Sequence, residues 1–135
     1  MRQTIFGFVF CVSWISPASS DWVQFDQTEN MVVYLDLETV TQSGPDIWTI
    51  DNLVDFYLPQ VAHPGNESIT FQSFVRRIEI DCTKRRQKTL DIVFYERVGA
   101  GGSEVFRAEI NSTWKPTPPG MGNALLVDMV CHSRT

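Results

Sequence analysis

The sequence is poor in the residues that catalysis and metal binding draw on. It has two histidines in 135 residues: His63 stands beside Pro64, and His132 lies at the C-terminal end. Neither is placed to act as a general base, and no CxxC or HxxxH spacing occurs, so no metal site is expected. There is no GxSxG elbow for a nucleophilic serine, and Gly99–Gly102 lacks the helix start and Lys-Ser/Thr of a phosphate loop. Low-complexity tracts and internal repeats are absent, as is any apolar run near the ~20 residues that span a bilayer. Cations are also scarce. Eleven Lys and Arg face 16 Asp and Glu, for a net charge of −5, which argues against generic nucleic-acid binding. These absences predict a non-catalytic protein without cofactor or metal.

The N-terminus is the most informative segment. Arg2 precedes an apolar run from Ile5 to Ile15, Pro17 breaks any helix, and Ala18-Ser19-Ser20 places small residues where a signal peptidase cuts. The expectation is a signal peptide over residues 1–20 and a single exported domain over residues 21–135. Phe8-Val9-Phe10 precedes Cys11, whereas lipoprotein processing wants a small residue immediately before the cysteine. A free, cleaved product, periplasmic or secreted, is therefore expected. Processing leaves Cys82 and Cys131, for which one intramolecular pairing exists. Such a bridge would contribute about 4 kcal/mol in the chain-entropy account, a large share of the ~5–15 kcal/mol available to a domain. Two free buried thiols are the alternative.

The remainder reads mainly as strands. Trp22–Asp26 alternates, Met31–Leu37 is rich in β-branched and aromatic residues, and Asp46–Tyr57 follows the breaker Gly44-Pro45. Leu58–Ser68 holds Pro59, Pro64 and Gly65 and reads as a loop. Thr70–Cys82 is the clearest alternating run, with Phe74, Arg76, Ile78, Ile80 and Cys82 on one face and Val75, Arg77, Glu79 and Asp81 on the other. Thr83–Gln87 turns the chain, Lys88–Val98 runs back as the second arm of a hairpin, and Glu104–Ile110 follows as a further strand. Trp114–Gly122, with three prolines, is expected to be irregular. Asn123 could cap a short helix with Leu125, Leu126, Met129 and Val130 on one face, but a strand fits these residues as well.

The ordered set Val33-Tyr34-Leu35-Asp36, Trp48, Ile78-Glu79-Ile80-Asp81-Cys82 with Lys84-Arg85-Arg86, Tyr95, Trp114, Pro119-Gly120 and Val130-Cys131 resembles the surface-adhesin protein E family of Gram-negative bacteria. The likeness runs from Trp22 to Cys131. It implies an α+β fold: a twisted antiparallel sheet of five to six strands closed by a C-terminal helix, with Cys82 and Cys131 paired. It also implies binding to host extracellular proteins of the vitronectin and laminin type, with a homodimer as one expected state. Known adhesins of this kind are lipid-anchored, which the Phe10-Cys11 junction does not favour. A periplasmic accessory or envelope-maintenance protein of the same fold, with no host ligand, is the alternative.

The strongest candidate for a binding site is basic. Arg76, Arg77, Lys84, Arg85, Arg86 and Lys88 place six of the eleven cations within thirteen residues. Gathered at a hairpin turn, such charge would attract acidic partners, with an affinity that falls as salt rises. The plainer reading pairs Arg77 with Glu79 and leaves the turn charged for solubility or edge protection. Glu79 and Asp81 read as part of a surface ion-pair ladder and not as an acid–base pair. Among the aromatics, Trp48 and Trp114 are expected in the core and Trp22 at the surface.

Overall fold

The computed structural model describes residues 22–63, 65–120 and 123–133. The expected signal peptide lies outside the described residues. The strands are β1 (Trp22–Gln27), β2 (Met31–Gly44), β3 (Ile47–His63), β4 (Asn66–Asp81), β5 (Arg86–Arg97), β6 (Gly101–Glu109) and β7 (Lys115–Pro116), followed by helix α1 (Ala124–Ser133). Strands β1 to β6 pair with their sequence neighbours as an antiparallel meander, and β7 pairs with β5. The sheet thus has seven strands where five to six were expected, the extra one being the two-residue β7. No helix among the described residues is long and apolar enough to cross a membrane.

The alternation in β4 sets the core. Ile78 and Ile80 face the helix together with Leu35 and Ile50, and α1 lays Leu126, Val127 and Val130 on them. Burial of each such side chain contributes on the order of 2 kcal/mol. The inward stripe of the helix is Ala124, Leu126, Val127 and Val130; Leu125 and Met129, expected on that stripe, are solvent-exposed. Trp48 packs against this core as expected. A Cys82–Cys131 disulfide joins the end of β4 to the helix, with Cα atoms 5.7 Å apart.

The opposite face also buries side chains, Leu53 and Ser73 among them. There the β5–β6 turn folds over the sheet: the Gly99 amide donates to Asp55 Oδ1 and the Ala100 amide to Ser73 Oγ. Trp22, expected at the surface, is half-buried at this side, lining a hollow with Tyr95 and Ala100.

Two proline-bearing segments depart from expectation. Much of Leu58–Ser68 is strand, because β3 and β4 continue to a turn near Gly65, which has a φ of +88°. Pro59 is accommodated in a register shift between Asp55 and Gln60, where no ladder bond is asked of it. Within Trp114–Gly122, Lys115-Pro116 forms an edge strand on Arg86-Gln87.

Candidate binding surface

The β4–β5 turn is a stiff structure. Asp81 is 5% exposed; its Oδ1 accepts the Lys84 amide at 3.1 Å and its Oδ2 accepts Arg86 Nε at 3.0 Å. Burial works to raise the Asp81 pKa, but the Lys84 amide and the Arg86 guanidinium, with the Thr83 amide, hold it below the ordinary carboxylate value. Arg85 takes a left-handed backbone conformation with φ +48°, a strained choice for a non-glycine residue. Its carbonyl accepts both the Thr117 amide and hydroxyl, and its Nη1 donates to Asp128 on α1 at 2.6 Å. The turn is thus fastened on three sides, by its own carboxylate, by the segment after β6 and by the helix.

That segment also brings Trp114 to the site. Past a bulge at Leu90 on β5, the Leu90 carbonyl accepts the amides of Ile110 and Asn111. Ser112 exchanges two hydrogen bonds with the Thr89 backbone, and β7 completes the run. The indole meets two cations, with the Arg86 guanidinium carbon 4.6 Å and Lys88 Nζ 4.8 Å from the ring centroid. Trp114 is therefore not a core residue; it is a half-buried platform at the edge of the sheet. Its role was not legible locally, since the pairing of 110–117 with β5 is what carries it there.

The six sequence-nominated cations are not one cluster. Lys84, Arg85, Arg86 and Lys88 surround the turn. Arg77 points from the face opposite the helix and pairs with Asp51 at 3.0 Å, and not with Glu79. That hydrogen bond and charge raise the Arg77 pKa. Arg76 points to the helix side, donating from Nε to Asn52 Oδ1 at 2.6 Å. Among the described residues Lys84 and Lys88 make no ion pair, whereas Arg85 and Arg86 are held by carboxylates. No group of three His, Cys, Asp or Glu among the described residues could hold a metal ion.

The model of the surface-adhesin protein E family matches residues 22–132. The chain belongs to the surface-adhesin protein E family. Its fold is similar to that of Haemophilus influenzae protein E in the selenomethionine form, at 16% identity and TM-score 0.63, over 88% of this chain and 94% of that one. Protein E from non-typeable Haemophilus influenzae is similar at 15% identity and TM-score 0.57, over 83% and 84% of the two chains. No curated protein sequence matches. At these identities the likeness carries the adhesin E fold, sheet, helix and all, and leaves the choice of ligand to the residues of this chain.

Proposed function

We propose that this is an exported, non-catalytic adhesin that contacts acidic extracellular or host proteins through the basic end of its β4–β5 hairpin. The observation that supports the reading is the Trp114 ring in contact with Arg86 and Lys88, with Lys84 exposed on the same hairpin turn. Arginine and tryptophan are the side chains that most often anchor protein interfaces, and a cationic rim speeds encounter with acidic partners. The turn is held by Asp81, Asp128 and Thr117, so little freedom is lost on binding. Family membership supports an adhesive role, and proteins of the vitronectin and laminin type are the partners to test first.

The test is binding of the Lys84→Glu, Lys88→Glu double variant to immobilised vitronectin and laminin across a salt series. Lys84 has no ion-pair partner among the described residues, whereas Lys88→Glu gives up the contact with the Trp114 ring and faces Glu79 across the strands, so the variant should lose about 1–2 kcal/mol of stability and remain folded at the assay temperature. Affinity should fall by about tenfold or more, and that of the parent should fall as salt rises. Equal affinity of variant and parent at low salt would remove the hairpin from the reading. A second reading, a periplasmic protein of the same fold, draws on the Phe10-Cys11 junction of the leader. Protease shaving of intact cells separates them: digestion supports surface display, and survival until the outer membrane is opened supports the periplasm.

A further inference from the structure

Arg76 stands apart from the hairpin surface and poses a different problem. It lies on the helix side of β4, in register with Asn52 and Ile92. Asn52 is fully buried; its Oδ1 accepts Arg76 Nε and its Nδ2 donates to the Tyr34 carbonyl, which fixes the plane of the guanidinium. No carboxylate pairs with Arg76 among the described residues, and its terminal nitrogens make no hydrogen bond there. Burial accordingly pushes its pKa down with no anion to offset it. A partly desolvated guanidinium whose terminal nitrogens stay open to solvent gains from an anion that reaches them.

Arg76 lines a cavity of about 300 Å³ whose other walls include Phe25, Met31, Val54, Phe74 and Leu126. That is roughly ten water volumes at ~30 Å³ each, the size class of a short acyl chain and not of a whole phospholipid. Helix α1 begins at the same cavity, through Asn123 and Leu126, with no acidic residue in its first turn to offset its positive end. From Phe74 the apolar surface continues to Phe94 at 5.6 Å and on to Phe106 at 6.0 Å, beyond the reach of the helix.

We propose that this cavity binds a medium-chain fatty acid, with the carboxylate on the free nitrogens of Arg76 and the acyl chain against Phe74, Val54 and Phe25. The fork of a guanidinium matches a carboxylate in two parallel hydrogen bonds. The polar lining is Asp26, Asn52, Arg76 and Asn123 and the rest is hydrocarbon, which suits an acyl chain better than a peptide backbone that needs a partner for every N–H and C=O. A single cation, with the carboxylate of Asp26 at the rim, suits a monoanion better than a phosphate.

Decanoate below its micelle concentration is the probe, titrated into isotope-labelled protein, with decanol and decyltrimethylammonium as controls. Saturable one-to-one shifts are expected at Phe74, Arg76 Nε and Leu126 with decanoate, with decanol weaker by about tenfold or more and the cation not bound. Arg76→Gln should weaken decanoate by about ten- to hundredfold and leave decanol unchanged, and Arg76→Lys should restore part of the loss. Asp26 is exposed, so Asp26→Asn keeps the fold and should tighten decanoate by about two- to fivefold. Decanol binding as tightly as decanoate, no saturation, or a decanoate affinity unmoved by either Arg76→Gln or Asp26→Asn would each overturn the proposal. A capped acidic peptide that binds there while decanoate does not would overturn it as well.

Discussion

One face of the sheet is built in two ways. Under α1, Leu35, Ile50, Ile78 and Ile80 are no more than 1% exposed. Further along the same strands the residues turn aromatic. Phe56, Phe71, Phe74, Phe94 and Phe106 form a chain of tilted and edge-on contacts with centroids 4.7 to 6.0 Å apart, and Phe106 is 44% exposed. The cause is length. A helix of ten residues is about 15 Å long, whereas the 16 residues of β4 extend for roughly 50 Å. Aliphatic side chains serve where a second layer closes over them. Where none does, large rings cover one another through edge-to-face contacts. Arg76 and its cavity lie at the seam between the two halves.

Removing the tether should have the largest effect on this contrast. A Cys82→Ser, Cys131→Ser variant should lose about 4 kcal/mol, because the bridge spans 49 residues. Denaturant melts measure the loss, and hydrogen exchange should show α1 opening before the strands. A loss of less than about 1 kcal/mol would mean that packing alone holds the cap. Within the capped half, Ile80→Ala should cost about 3 kcal/mol, since the site is fully buried between sheet and helix.

The turn under the cap makes the next contribution. Asp81→Asn should cost about 2 kcal/mol at pH 7, as it leaves Arg86 without its counter-charge in a buried site. The folded-state pKa of Asp81 is depressed, so its contribution is complete above the unfolded value of about 4 and fades as pH falls through the folded value. Melting temperatures of parent and variant should therefore differ at neutral pH and converge in acid. A gap that persists unchanged well below pH 4 would assign the loss to packing.

The capped half was also the more legible in sequence. The alternation through Ile78 and Ile80 names its own inward face, and two cysteines left a single pairing to consider. The helix was ambiguous because Leu125 and Met129 fit an apolar stripe as well as Leu126 and Val130 do, and only docking on the sheet turns the first pair outward. Prolines misled in the other direction, since Pro59 sits in a bulge and Pro116 on an edge strand, the two places in a sheet that tolerate a missing donor. The basic site was half legible. Adjacent Arg76 and Arg77 must face opposite ways on a strand, yet nothing near Arg85 in the chain announces Asp128, 43 residues on, and nothing near Lys88 announces Trp114.

The smallest effect is expected at the open end, where the contrast is easiest to break. Phe106→Ala on β6 removes a ring that touches Phe94 at 6.0 Å and leaves no sealed cavity, because solvent already reaches the site. The loss should stay within about 1 kcal/mol, a third or less of that at Ile80, although phenylalanine is the larger side chain. A chemical denaturation midpoint for each variant suffices for the comparison. If Phe106→Ala proved as costly as Ile80→Ala, the aromatic half would be a second core, closed in solution by a partner molecule or another copy of the chain. A small loss would instead mark the aromatic half as surface, free to take an apolar chain beside Arg76.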